Sequence, residues 1–257
     1  MPGFYSTIAR YYDAENTDKN DDLDFYLELA EEHGGPLLDV GCGTGRVMFP
    51  LAEAGYEIHG IDNEPAMLQI AHDQLNVAPE LRKLVHLHAG DVRDYNMPVK
   101  FKLTLVPYNG MMHFHDQETQ LAVLRQLRKW TRDDGYLVLD LPNAGDVFAS
   151  QDTEAITLER TFLEPETGHM VMQQSVSYLD RVTQLMRITW IYDEITGDGE
   201  VKRTFAPLTL YYYFYSEIRL LLALTGFDVV EVYGDLGFGE YGDGCERMII
   251  LARPRQE

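Results

Sequence analysis

Cysteine is scarce in this chain: two among 257 residues, Cys42 and Cys245. Neither belongs to a CxxC pair or a His/Cys cluster, so the sequence suggests no disulfide framework and no metal site. Long apolar runs are missing as well. None approaches the ~18 residues that span a bilayer. The opening Met1-Pro2-Gly3-Phe4-Tyr5 lacks the basic region and apolar run of a secretory signal, and the expected location is cytoplasmic. Positive charge is in short supply: 21 Lys and Arg stand against 42 Asp and Glu, a formal net charge of −21. Such a surface repels phosphate backbones and anionic lipid, so neither nucleic acid nor a membrane is the expected partner. A neutral or cationic small molecule is compatible with it, and so is a charge that serves only solubility. No repeat, low-complexity tract or flexible linker is present; the polar stretch Asp13 to Asp24 comes nearest.

What is present is ordinary globular composition, 45% hydrophobic and 25% charged, enough to bury a core without cross-links. A helix is expected over Leu23–Glu32, stopped by Gly34-Gly35-Pro36. Short strands and helices then alternate: strands Leu37–Val40, Tyr56–Ile61, Leu84–His88, Lys102–Val106 and Tyr136–Leu141, with helices Arg46–Ala54, Glu64–Leu75 and Gln117–Thr131 between them. That alternation predicts βαβ units on a parallel sheet with helices on both faces. After Leu141 the texture changes to four strands, Ile156–Leu163, Met170–Tyr178, Val182–Asp193 and Val201–Tyr213, separated by tight turns, an antiparallel meander. A helix Ser216–Thr225 and strands Phe227–Tyr233 and Arg247–Ala252 close the chain. The expected fold is α/β, a Rossmann-like, doubly wound, mostly parallel sheet with an antiparallel cap inserted after the fifth strand. Residues 1–257 read as one domain: a lid over 1–22, a core over 23–150 and 216–257, and the cap over 151–215.

Four segments carry chemistry. Asp39-Val40-Gly41-Cys42-Gly43-Thr44-Gly45 ends a strand in a glycine loop and opens a helix, which places free backbone N–H groups beside a groove at the sheet's carboxyl edge. Asp62 ends the next strand, seventeen residues after Gly45. A carboxylate there can accept hydrogen bonds from both hydroxyls of a ribose; Asp62 or Asn63 would also suit a helix N-cap. Asp91 and Val92, past the third strand, suit an adenine edge, or Asp91 is simply a turn aspartate. Pro107 to Phe114 follows the fourth strand at the topological switch, where open α/β sheets place ligands.

In this order and spacing the segments LLDVGCGTGR, GIDNEPAMLQIA and HAGDVRDY resemble the first three motifs of the class I methyltransferases that use S-adenosylmethionine (SAM). The YYD segment at Tyr11-Tyr12-Asp13 and the antiparallel insert are similar to a small-molecule group that includes amino-sugar N,N-dimethyltransferases. The resemblance implies that Gly41, Cys42 and Gly43 line the methionine part of SAM, with Asp39 beneath them. It implies that Asp62, flanked by Asn63, holds the ribose, that Asp91 and Val92 hold the adenine, and that the Pro107 carbonyl receives the ammonium. Met67 is placed near the adenine or in plain helix packing. Tyr11 and Tyr12 belong to the implied lid, reaching the cofactor or the acceptor. S-adenosylhomocysteine (SAH) is the implied product.

His113 is the candidate general base, for its place in the switch loop and the near-neutral pKa of imidazole; a structural histidine is the alternative. His86 and His88 alternate along one strand, share a face and read as structural. Of the aromatics Phe205 and Tyr211 to Tyr215, one or two are expected to roof an acceptor pocket and touch substrate while most fill the cap core or a dimer surface; Glu240 and Tyr241 lie in a glycine-rich loop that is a second candidate border of the pocket, and an apolar cap face would favour a homodimer. A nicotinamide dehydrogenase would need a third glycine where Arg46 stands. A SAM-binding protein without turnover remains the alternative to an enzyme.

Overall fold

The computed structural model describes residues 3–17, 19–149 and 155–256; the predicted start of the insert at 151–154 and the lid residues 1, 2 and 18 lie outside them. In chain order the elements are α1 (Phe4–Glu15), α2 (Leu23–His33), β1 (Leu37–Val40), α3 (Met48–Glu53), β2 (Ile58–Asp62), α4 (Pro65–Val77), β3 (Val85–Ala89), β4 (Phe101–Val106), α5 (Gln117–Trp130) and β5 (Thr131–Pro142). They continue as α6 (Ala144–Ala149), β6 (Thr157–Leu163), β7 (Met170–Asp180), β8 (Leu185–Ile195), β9 (Val201–Tyr211), α7 (Tyr215–Leu224), β10 (Phe227–Tyr233) and β11 (Arg247–Pro254).

Strand β1 is buried at all four positions, as a strand covered on both faces must be. It lies between β4 and β2 in the interior of a seven-stranded sheet ordered β10-β11-β5-β4-β1-β2-β3. Strands β1 to β5 run parallel, while β11 pairs antiparallel with β5 and β10 with β11. Leu29, Phe49 and Ala71 of α2, α3 and α4 pack with Leu37 and Ile58 on one side, and Val123, Leu124 and Leu222 of α5 and α7 pack with Leu38 and Leu139 in a second cluster. Burying each such side chain contributes about 1.5–3 kcal/mol.

The meander β6 to β9 is a separate four-stranded antiparallel sheet, not an outgrowth of the first. Its second hairpin is wider than expected. Asp180 Oδ1 accepts the N–H of Val182 and Thr183, which delays β8 to Leu185. The lid segment, for which the sequence predicts no regular element, is a helix, α1. It packs against α4 of the core and against β6 and β9 of the cap. Among the described residues no helix is long and apolar enough to cross a membrane.

Candidate functional site

Between β1 and α3 the chain turns through positive φ at Gly41 (+74°) and Gly43 (+55°). A Cβ at Gly41 would meet nothing within 4 Å, so the turn leaves open space at the strand's end. The expected free N–H groups are otherwise engaged. Gly41 and Cys42 donate to the Ile61 carbonyl at 2.8 and 3.1 Å, and Gly43 donates to Asp62 Oδ2 at 2.9 Å. The loop is thus tied to β2 by the same hydrogen bonds that shape it. The Cys42 thiol is buried against Gly60.

This loop borders a cavity of about 650 Å³ at the carboxyl edge of the parallel strands. Asp39, Gly41, Cys42, Gly43, Asp62, Asn63, Met67, Asp91, Val92, Pro107, Tyr12 and His113 all line it. Asp62 does two jobs: Oδ2 holds the glycine loop, while Oδ1 accepts the Glu64 N–H at 2.8 Å. The N-cap of α4 is Glu64, not Asp62 or Asn63. Burial raises the Asp62 pKa, opposed by those backbone donors. Asp91 is held by Arg93, whose N–H, Nε and Nη2 donate to it at 2.9, 2.9 and 2.6 Å. The Pro107 carbonyl accepts from Gly110 at 3.1 Å. Met67 is buried and its Cε lies 3.5 Å from the Cβ position of Gly43, so it packs on the loop and faces the cavity at once.

The switch loop is strained. Tyr108 and Asn109 take φ of +44° and +67°, a region that non-glycine residues enter rarely and mostly at functional sites. Asp140 of β5 holds them there. Its Oδ2 accepts from the Tyr108 N–H at 3.2 Å and the Tyr26 hydroxyl at 2.9 Å, and its Oδ1 accepts from Arg247 Nε at 2.6 Å.

Asp39 tests whether SAM fits. It is 1% exposed, its Oδ1 has no hydrogen-bond partner among the described residues, and burial pushes its pKa up to about 7. A buried acceptor without a donor is costly unless a ligand completes it. SAM carries a sulfonium and an ammonium, and both cations suit the Glu15, Asp39 and Asp62 carboxyls of the cavity, whose lining also holds Lys19, Arg160, Arg46 paired with Asp22 and Arg93 paired with Asp91. The open space at Gly41 and the orphaned Asp39 oxygen fit that group.

Helix α1 roofs the cavity with Tyr5, Ile8, Tyr12 and Glu15, spaced three or four residues apart. Tyr11, expected at the cofactor, is on the other face: its ring stacks on Tyr192 at 5.1 Å and its hydroxyl donates to Glu194 at 3.1 Å. The Tyr5 hydroxyl lies 3.0 Å from His113 Nε2. Burial pulls the His113 pKa down to about 4, with His115 adding to the shift, so the near-neutral value expected of a base is not found.

The cap contributes Gln173 of β7, Ile188, Trp190 and Tyr192 of β8, and Leu208 and Leu210 of β9. None of Phe205 and Tyr211 to Tyr215 lines the cavity. Leu208 and Leu210 hold the inward parity of β9, so Phe205 faces out and is 58% exposed. Tyr211 to Tyr213 lie at and beyond the strand's end and enter the main core, where the Tyr213 hydroxyl donates to the Met111 carbonyl at 3.1 Å. Glu240 and Tyr241 do not line the cavity either; Tyr241 packs on Tyr215.

Sequence reasoning missed Tyr5, Glu15, Gln173 and Trp190. Glu15 is 8% exposed and accepts from Gln173 Nε2 at 2.8 Å and the Tyr192 hydroxyl at 2.9 Å. Burial raises its pKa to about 7. Gln173 Oε1 and Trp190 Nε1 are buried without a partner among the described residues. The i, i+3, i+4, i+7 pattern of Tyr5, Ile8, Ala9 and Tyr12 was the available signal for α1. No local signal pointed to Gln173 or Trp190.

Residues 37–135 match the family described as "Methyltransferase domain". The chain is 25% identical over 223 residues to a cypemycin N-terminal methyltransferase of a Streptomyces species, covering 85% of this chain and 82% of that one. Its fold is similar to that of the CcbJ methyltransferase from Streptomyces caelestis, with a TM-score of 0.79, 20% identity, and 95% and 96% of the two chains covered. It is also similar to SAM-bound CalS10, an amino pentose methyltransferase from Micromonospora echinaspora, with a TM-score of 0.68, 20% identity, and 93% and 91% covered. Residues 37–135, which carry the glycine loop and the acidic strand ends on one sheet edge, are therefore a methyltransferase domain, and the chain is a SAM-dependent methyltransferase.

Proposed function

We propose that the chain methylates an amine nitrogen of a small molecule bound between α1, the switch loop and the cap. The observation that carries this reading is Glu15: a buried carboxyl facing the cavity with a pKa raised to about 7. An amine reaches the pocket mostly as its ammonium form and must lose a proton to expose its lone pair. A carboxylate poised near neutrality attracts the cation and takes that proton. When bound, SAM supplies an activated methyl group on sulfur. The protein's part is mainly placement, which brings the acceptor nitrogen in line with that group and keeps water out.

In this reading Asp62 and Asn63 hold the ribose, Asp91 and Val92 the adenine, and the Gly41–Gly43 loop with Asp39 and Pro107 the amino-acid end. Asp62 keeps lone pairs for ribose hydroxyls beyond the two backbone donors it already serves. Tyr12 closes over the cofactor as part of the α1 lid. His113 is a neutral positioning group, docked on Tyr5, and not the base. Trp190 Nε1 and Gln173 Oε1 offer one donor and one acceptor to polar groups of the acceptor molecule. The names of two relatives, a cypemycin N-terminal methyltransferase and a dTDP-3-amino-3,6-dideoxy-alpha-D-glucopyranose N,N-dimethyltransferase, support nitrogen over oxygen. The size of the cavity is in the range of small-molecule sites.

The test is SAH release with matched pairs of amino and hydroxy compounds, such as an amino sugar and its hydroxy parent. Turnover with the amine and little with the alcohol supports the reading. Preference for the alcohol overturns it.

A further inference from the structure

On the other half of strands β2 and β3, away from the cofactor cavity, three side chains converge. His59 and His86 stand directly opposite each other in the parallel register, and Glu57 precedes His59 by two residues, on the same face. Glu57 Oε1 lies 3.7 Å from His59 Nε2 and 3.5 Å from His86 Nε2, and the three ligand atoms are all within 4.8 Å of one another. These separations are long for an N–H···O hydrogen bond, which centres near 2.9 Å. They are close to the spacing of two ligands on one ion: with metal–ligand bonds of 2.0–2.1 Å, tetrahedral neighbours stand about 3.4 Å apart.

The environment of His59 points the same way. Its side chain is 6% exposed, and its Nε2 is buried without a hydrogen-bond partner among the described residues. Its other nitrogen, Nδ1, lies 2.8 Å from His88 Nε2, and His88 Nδ1 lies 2.9 Å from the Tyr95 hydroxyl. In the tautomer that a metal would select, His59 Nδ1–H donates to His88 and His88 Nδ1–H donates to Tyr95, and the bare lone pair of His59 Nε2 faces the Glu57 carboxylate. Two electron-rich atoms so placed repel unless a cation lies between them. A ligating histidine whose second nitrogen is fixed by a hydrogen-bond chain is the arrangement that orients imidazole on a metal. Glu57 and His86 are half-exposed, so an ion can enter from solvent, and water can complete the coordination.

We propose that Glu57, His59 and His86 bind one divalent transition-metal ion of the zinc class, with water as the fourth ligand. Two neutral imidazoles and one carboxylate suit such an ion better than calcium or magnesium, which prefer oxygen. None of the three residues lines the cofactor cavity, so the ion takes no part in methyl transfer. It clamps the edge strand β3 to β2, the two strands whose far ends carry Asp62 and Gly90-Asp91. The sequence hides the site because His59 and His86 are 27 positions apart and only strand pairing joins them.

The test uses the full chain, free of any affinity tag and stripped with chelator. It is titrated with Co²⁺ and followed by visible absorption, then with Zn²⁺ in competition. One ion per chain is expected. Affinity should fall at least about tenfold in His86→Ala and in Glu57→Gln, both at half-exposed positions. Cys245→Ser should bind like wild type, and circular dichroism should show every variant folded. No uptake by the wild type, or uptake that His86→Ala and Glu57→Gln leave unchanged, overturns the proposal.

Discussion

The Tyr5 hydroxyl and His113 Nε2 stand 3.0 Å apart across 108 residues of chain, joining the lid helix to the switch loop. Burial holds His113 neutral, with a pKa of about 4, and pushes the Tyr5 phenol well above its ordinary value. The unfolded chain takes up a proton on His113 near pH 6.5, the folded chain only near 4, so the unfolded state binds more protons between those values. The His113 contribution to stability is therefore complete above pH 6.5 and falls as pH drops toward 4. In NMR the His113 ring should titrate near 4, and a midpoint of 6–7 would contradict this burial. Tyr5→Phe should destabilise by about 1 kcal/mol.

Glu15 carries the opposite sign. Its folded pKa of about 7 lies above the unfolded value near 4.5, so the folded state binds more protons between them and loses stability as pH rises through that window. Glu15→Gln should be more stable than wild type at pH 8, by up to about 3 kcal/mol, and less distinct at pH 4. In the pH profile of kcat/KM for an amine acceptor, the limb rising through about 7 should flatten in Glu15→Gln. A profile unchanged by the substitution removes Glu15 from the proton transfer.

Asp62→Ala removes the acceptor of Gly43 and Glu64 and the proposed partner of the ribose. Affinity for SAH, read by titration calorimetry, should fall roughly tenfold to a hundredfold, the equivalent of about 1.5–3 kcal/mol. Asn63→Ala, at the exposed rim, should change it much less. Equal losses in both variants would argue against a dedicated contact at Asp62.

Buried Asp140 and partly buried Arg247 form an ion pair that holds the strained Tyr108-Asn109 turn. Asp140→Ala leaves Arg247, Tyr26 and the Tyr108 N–H without their acceptor and should destabilise by about 3 kcal/mol or more. Asn109→Gly, which removes the steric cost of positive φ, should keep or slightly raise the melting temperature. A large loss in Asn109→Gly would show that the Asn109 side chain, not the backbone shape, is what the loop needs.

The lining of the cavity at the sheet edge was legible because its signals are local. Strands of buried residues, glycines at positive φ and a carboxylate at a strand end are set by neighbours in sequence, and Gly41, Asp62 and Asp91 fell where their spacing put them. The misread parts were questions of parity and partners. The YYD segment was marked, yet which tyrosine faces the cavity depends on the phase of a helix, and Tyr12 faces in while Tyr11 stacks on Tyr192. The aromatic run from Tyr211 to Tyr215 was visible, but it begins where β9 ends, so it fills the core instead of the acceptor site.

By itself the sequence determined the fold class, since alternating apolar strands and helices have few other solutions, and the resemblance of its LLDVGCGTGR, GIDNEPAMLQIA and HAGDVRDY segments to the class I methyltransferases supplied the cofactor. Only the tertiary structure decided the protonation of the site. A carboxyl or an imidazole takes its pKa from the water it loses and the charges it meets, and for Glu15 and His113 those come from segments far away along the chain. The pairing of His59 with His86 was settled the same way, by strand register, which no short window of sequence contains.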